Sequence, residues 1–302
     1  MGTRASKLAR WQADWVAARL EGLGVAVELV PITTSGDRDQ RGPIGALGTQ
    51  GVFTKEIQRA LLDGRIDLAV HSLKDLPTEP VEGLCLAAVP ERESVRDALV
   101  CREASSLEEL RPGAVIGSGS LRRRAQLLHR RADLQIDGIR GNVDTRLKKL
   151  AEGSFDAIVL AEAGLNRLGL AGRITQILPP EIMLSAVGQG ALGLETRAED
   201  LATRSALAPL DHPASHAAVL AERTMLAALC GGCLAPIAGW ARPERGRLVL
   251  TGRVVGADGK CRIEATDSNR IADAARLGRR VADQLLDQGA GDLIAAARGA
   301  RS

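Results

Sequence analysis

Lys74 and Asp75 belong to the segment Ser72-Leu73-Lys74-Asp75-Leu76-Pro77, which directly follows a short apolar run, Ile66–His71. An ammonium beside a carboxylate at the end of a buried strand stands where α/β sheets place their ligands, beyond the carboxyl ends of the strands. A plain surface ion pair is the competing reading, against which the buried strand and the following proline weigh. The second group is Ser118-Gly119-Ser120-Leu121-Arg122-Arg123-Arg124. Cations in the first turn of a helix oppose its macrodipole, at roughly 0.3–1 kcal/mol each, and so ask for an anion. Free amides at a helix start, two hydroxyls and guanidinium forks together suit a carboxylate or phosphate. Arg140-Gly141-Asn142 repeats the arrangement after the next strand, with Arg146 one helical turn on. A solvated basic face is the bland alternative. Third is Leu229-Cys230-Gly231-Gly232-Cys233-Leu234-Ala235-Pro236, whose glycines would let a bulky group approach or be bonded to a sulfur. The same spacing also fits a redox pair, half a zinc site or coincidence.

The elements that must position these residues follow from periodicity. Apolar positions Leu8, Trp11, Trp15, Val16 and Leu20 predict a helix over 5–20, and Val25–Val30 reads as a strand closed by Pro31. Residues 33–51 lack periodicity and read as a long functional loop. A helix over Phe53–Leu62 ends at Asp63-Gly64. Short strands fill Leu84–Val100 around the charged run Glu91–Asp97, a crossover into a second unit. There the pattern repeats as strands at Ala114–Gly117, Ile136–Ile139 and Phe155–Ala161, with helices at Leu121–Arg131, Asn142–Ala151 and Leu165–Leu170. Alternating helices and buried strands predict mostly parallel sheets. Gly188–Glu195 reads as a return strand, so two crossings make a hinge between two α/β lobes. A third, α+β unit follows. It has a helix over His212–Leu229 with Asp211 as N-cap, a hairpin of Leu248–Val255 and Cys261–Ala265 about Asp258-Gly259, and a final helix over Asn269–Gln288. The expected division is 1–90 with 190–209, then 96–185, then 212–302.

Composition removes several function classes. The 302 residues carry a net charge of only +3, yet 34 of the 40 basic residues are arginine, the residue suited to bidentate carboxylate binding. A high-GC coding bias accounts for much of that ratio. Three Trp, two Phe and no Tyr leave few stacking platforms for nucleic acid. No apolar run approaches membrane-spanning length, and the first twenty residues are too polar for a signal peptide, so a cytoplasmic location is expected. Five cysteines at irregular spacing do not suggest a disulfide framework. Gly188–Gly193 lacks the Lys-Ser/Thr ending of a P-loop, and His71, His129, His212 and His216 form no metal set, so no metal is expected.

The motifs Gly2-Thr3-Arg4-Ala5-Ser6, Val70-His71-Ser72-Leu73-Lys74-Asp75-Leu76-Pro77, Gly117–Arg123, Arg140–Leu147, Ala186–Ala191 and Gly231-Gly232-Cys233, taken in this order, resemble the porphobilinogen deaminase (hydroxymethylbilane synthase) family. The resemblance implies two hinged lobes like type II periplasmic binding proteins, plus a small α+β C-terminal domain. It implies a transferase that joins four porphobilinogen molecules head to tail, releasing ammonia, on a dipyrromethane cofactor bonded through a thioether to Cys233. On the same match Asp75 is the catalytic carboxylate, with Lys74 beside it. Ser6, Lys74, Asp75, Ser118, Ser120, Arg122, Arg123 and Arg146 match cofactor-binding positions. Arg4, Arg140, Arg146, Arg173 and Gln189 match substrate-binding positions, and Phe53 the loop that covers the cleft. A monomer that passes its product to uroporphyrinogen-III synthase is the family expectation. Three departures stand out: Met1-Gly2-Thr3-Arg4 opens the chain where the family usually has a short strand first, Gln50 stands where a lysine is common, and Lys7 replaces a common proline. Two other classes compete: an anion-binding two-lobe protein without catalysis, and a Cys-x-x-Cys oxidoreductase that would need Cys230 as much as Cys233.

Overall fold

The computed structural model describes residues 1–34, 54–229 and 235–299. Its first sheet joins β1 (Gly2–Thr3), β2 (Val30–Pro31), β3 (Leu68–Ser72), β4 (Leu84–Ala88) and β10 (Leu192–Arg197) in the order β2-β1-β3-β10-β4. Helices α1 (Lys7–Glu21) and α2 (Lys55–Leu62) cover it. α1 turns Ala13, Val16, Ala17 and Leu20 inward, and Ser6 caps its start by accepting from the Ala9 amide. The expected strand Val25–Val30 is reduced to β2, because its neighbour β1 offers only two residues to pair with.

The second sheet repeats that topology with β5 (Asp97–Cys101), β6 (Val115–Gly117), β7 (Gln135–Asp137), β8 (Ala157–Ala161) and β9 (Gln176–Leu178), ordered β7-β6-β8-β5-β9. Helices α3 (Leu121–Arg130), α4 (Val143–Ala151) and α5 (Glu162–Arg167) connect its strands. Both sheets are mixed rather than mostly parallel. β1, β2 and β3 run parallel, as do β6, β7 and β8, while the strand that follows each crossover enters antiparallel: β10 against β3 and β4, β5 against β8 and β9. Each lobe is therefore completed by a strand delivered from the other.

After α6 (Leu201–Leu207) comes the C-terminal α+β unit: α7 (Pro213–Ala228), the meander β11 (Ile237–Glu244), β12 (Arg247–Val255) and β13 (Arg262–Asn269), then α8 (Ala274–Asp287) and α9 (Ala290–Gly299). β11 and α9 had no counterpart in the sequence reading. Met225, Leu250, Val254, Leu277, Val281 and Leu285 fill the core between helices and meander. The N-cap of α7 is His212, accepting from the Ser215 amide, and not Asp211. Asp211 is occupied elsewhere, accepting from Val89 N and pairing with His216 Nδ1.

α7 also ties the three units together. Glu222, fully buried, accepts both arms of the Arg92 fork from the first crossover, Gly188 N from the second, and Ala241 N from β11. Four donors and a charged partner offset the cost of burying this carboxylate. On the opposite side, His129 at the end of α3 bonds the Gly259 carbonyl at 2.7 Å, and Arg253 of β12 donates to Gln126. Among the described residues, no helix is long and apolar enough to cross a membrane.

Candidate active site

β3 delivers the chain into a single 3-10 turn, Leu73–Asp75. Leu73 is buried beneath it, and its amide donates to Ala191 O at 3.0 Å. Gly188, at φ +71, lies so close that a Cβ there would stand 3.2 Å from Leu73 C and Lys74 N, so only glycine lets the second crossover press on the turn. Lys74 is half-buried, and its ammonium donates to Gln189 Oε1 at 3.4 Å. Burial, and then the Arg123 charge, lower its pKa to about 8, with Asp75 and Asp97 pulling the other way. The side chain of Asp75 is exposed, although the strand that delivers it is buried. A three-residue turn that anchors Leu73 in the core leaves the residue two further on facing open space.

The arginines of α3 are more committed than their sequence suggests. Arg122 and Arg123 are 5% and 6% exposed. Both grip Asp97, itself fully buried: Arg122 Nη2 at 2.8 Å from Oδ2, and Arg123 Nη2 at 2.6 Å and Nε at 3.0 Å from Oδ1. Their remaining arms reach the carbonyls of Leu184 and Val159. Burial alone would push the Asp97 carboxyl up, but Arg122, Arg123 and Lys74 together bring it down to about 2. Part of the anion that this helix start requires is thus supplied by the protein. Ser118 is buried and accepts from Ser120 N, while Ser120 caps α3 by accepting from Arg123 N.

Gln189 is fully buried, with its amide donating to Val95 O, Arg96 O and Asp97 Oδ1. Through these bonds it braces the crossovers, while its Oε1 accepts from Lys74. Arg140 and Arg146 are half-buried beside the start of α4, which Asn142 caps. Arg140 Nη2 is buried with no hydrogen-bond partner, and Arg146 Nε donates to Gly141 O. Burial, then Arg123, lower the Arg146 pKa to about 10, with Asp75 across the cleft opposing. Arg4 and Ser6 stand half-buried at the start of α1. Lys7 pairs with Asp144 of the other lobe at 2.7 Å, a consequence of the lysine that the motif alone did not reveal. With 77% and 42% of these side chains exposed, the pair is worth under about 1 kcal/mol.

Arg173 is exposed on the turn Ala171–Arg173. Arg167, six residues earlier and half-buried, is the cation the sequence reading missed. It donates to Gly190 O at 2.7 Å and faces the Trp11 ring of α1 at 5.9 Å. Its place at the end of α5, outside any basic cluster, left no local signal. Phe53, Gln50, Cys230 and Cys233 lie outside the described residues.

Residues 1–205 match the family model described as porphobilinogen deaminase, dipyromethane cofactor binding domain, and residues 216–287 match porphobilinogen deaminase, C-terminal domain. The chain belongs to the porphobilinogen deaminase family. Relatives carrying that name in Syntrophotalea carbinolica and Trichlorobacter lovleyi are 49% and 48% identical, over 98% and 96% of this chain and 95% and 93% of their own. Among solved structures, an ABC transporter periplasmic substrate-binding protein from Coxiella burnetii is similar at a TM-score of 0.44 and 16% identity, over 71% of this chain and 92% of its own.

The residues present fit the porphobilinogen deaminase cofactor. Lys74, Arg122, Arg123, Arg140 and Arg146 outnumber Asp75 and Asp97, and the orphaned Arg140 Nη2 still requires an acceptor. A dipyrromethane carries an acetate and a propionate on each ring, acceptors of the type that the orphaned Arg140 Nη2 can bond.

Proposed function

We propose that the facing surfaces of the two lobes are the active site, with Asp75 as its catalytic carboxylate and Cys233 as the attachment point of the cofactor. The enzyme condenses four porphobilinogen molecules head to tail, with release of ammonia at each addition, to give hydroxymethylbilane. When bound, the dipyrromethane supplies the pyrrole carbon from which the product is built. Ser6, Lys74, Ser118, Ser120, Arg123 and Arg146 would hold its carboxylates, with Arg122 adding charge from behind. Arg4, Arg140 and Arg146 would take the acetate and propionate of incoming porphobilinogen. The working division of the chain is 1–90 with 190–209, 96–185 and 212–302.

Departure of ammonia from porphobilinogen leaves positive charge on the ring nitrogen. Asp75 accepts that N–H and stabilises the cation as it forms. At about 4 Å the attraction is roughly 1 kcal/mol in water and roughly 4 kcal/mol at an effective dielectric near 20. The difference, about 3 kcal/mol, corresponds to about two decades of rate. Because Asp75 is exposed, that gain is available only once the substrate displaces water from it.

The observation that carries this reading is the convergence of charge from both lobes. Lys74 of the first lobe donates to Gln189, whose amide donates to Asp97, the carboxylate held by Arg122 and Arg123 of α3. Intact mass of the wild type and of Cys233→Ser tests it. A dipyrromethane increment on the wild type alone is expected, whereas an unmodified, fully active wild-type chain overturns the cofactor attachment. By family resemblance we also propose a cytoplasmic monomer whose product passes to uroporphyrinogen-III synthase.

A further inference from the structure

Among the described residues, no side chain aims the carboxylate of Asp75 by a hydrogen bond. Among the described residues, neither a hydrogen bond nor an ion pair engages it, so its direction is inherited from the backbone of the turn that carries it. The near side of that backbone is tied by Leu73 N to Ala191 O and closed by Leu76 N to Leu73 O, at 3.0 and 3.2 Å. The far side is held by α7. Arg223 Nη1 donates to Leu76 O at 2.8 Å and Nη2 to Pro77 O at 2.6 Å, so both arms of one fork grip the two carbonyls that follow the Lys74-Asp75 pair. One helical turn earlier on the same face, Val219 is fully buried against Leu73 and Leu76. A planar fork on two successive carbonyls fixes direction as well as distance, which a flexible ammonium cannot do.

The helix that makes this clamp is also the one that leads to the cysteines. α7 ends at Ala228, and Cys233 is five residues further along the chain. A 16-residue helix is a stiff rod, about 24 Å long at 1.5 Å per residue. Its middle grips the catalytic turn, and its end starts the segment that holds the proposed anchor.

We propose that Arg223 is a positioning residue for the condensation, holding the turn of Asp75 in register with the helix that leads to Cys233. The inference rests on the assignment of Asp75 and Cys233 made above. Through its bonds to Leu76 O and Pro77 O, Arg223 acts on the reaction by way of Asp75. Displacing a reacting group by about 1 Å can cost on the order of a hundredfold in rate.

The test uses cofactor-loaded enzyme, with loading counted by intact mass so that turnover is expressed per loaded molecule. In Arg223→Ala, kcat for porphobilinogen consumption should fall about ten- to a hundredfold, with KM within twofold and the mass increment retained. Arg223→Lys should recover part of the loss. The double variant Arg223→Ala/Asp75→Asn should be no slower than Asp75→Asn alone, because the clamp has nothing left to aim. A purely structural role lowers the unfolding midpoint and leaves kcat per loaded molecule within twofold of wild type, which overturns the proposal. A loss confined to KM, or additive losses in the double variant, also overturns it. If Arg223→Ala does not fold, Arg223→Lys decides by the same split. Should Asp75→Asn itself keep full turnover, the assignment of Asp75 fails first, and that result is separate from any result at Arg223.

Discussion

Asp97→Asn isolates the electrostatic centre of the site. The carboxylate has no exposed surface and pairs with two guanidinium groups that are 5% and 6% exposed. Its pKa moves from 3.8 to about 2 on folding. At about 1.4 kcal/mol per unit, that is a contribution of roughly 2 kcal/mol at neutral pH. Removing one partner of a buried pair costs about 3–5 kcal/mol, because the remaining cation is left without compensation. Asparagine keeps an acceptor for one fork but none of the charge, so a loss of about 2–4 kcal/mol is expected. The sign of the pH dependence follows from the lowered pKa. Stabilisation by Asp97 is complete above the unfolded value of 3.8 and is lost as pH falls through about 2. Urea unfolding midpoints measured from neutral pH down to that region should therefore converge between wild type and Asp97→Asn as acid is added. A variant within about 1 kcal/mol of wild type at neutral pH, or a gap that stays constant into acid, refutes the reasoning.

Three further outcomes follow from the same geometry. Asp75→Ala should keep its unfolding midpoint, since the side chain is exposed, and lose turnover by about two decades or more; near-normal turnover in a steady-state assay removes its catalytic role. Lys74 loses its proton near pH 8, so turnover should fall above that pH, and Lys74→Arg should move the fall to higher pH. Unfolding does not account for such a fall, because the cost of burying the charged amine is present below about 8 and is relieved between there and 10.5. Gly259→Ala places a Cβ 2.6 Å from His129 N at a φ of +79, so the β12–β13 hairpin should part from α3, with a loss of about 1–3 kcal/mol readable as a lower thermal midpoint.

The α/β pattern and the Lys74-Asp75 turn were legible because their signals are local: an apolar run, a turn and a polar pair within a dozen residues. The caps at Ser120 and Asn142, each with its amide partner three residues on, stand at the starts of helices whose extents were legible from periodicity. The Val25–Val30 strand was misjudged because its length depends on β1, a distant neighbour that pairs over only two residues. The α7 cap was misjudged because Asp211, the better capping type, is taken by Val89 N from another part of the chain.

The same distinction separates the residues that meet ligand from those that hold them. Asp97 lies in a charged run that reads as a crossover, and nothing nearby in sequence announces Arg122 and Arg123, 25 and 26 residues on. Arg223 grips carbonyls 147 and 146 residues away from within an alanine-rich helix, and Arg92 meets Glu222 across 130 residues. A motif records a side chain that must face a small molecule, since its neighbours in sequence shape the turn that presents it. A positioning residue records only the tertiary meeting of two segments, and its own surroundings are free to look ordinary. In this molecule the long-range ties fall on the crossovers and on α7, where one displaced carbonyl would carry the Asp75 turn with it. Those ties therefore decide whether a correctly composed site is also correctly aimed.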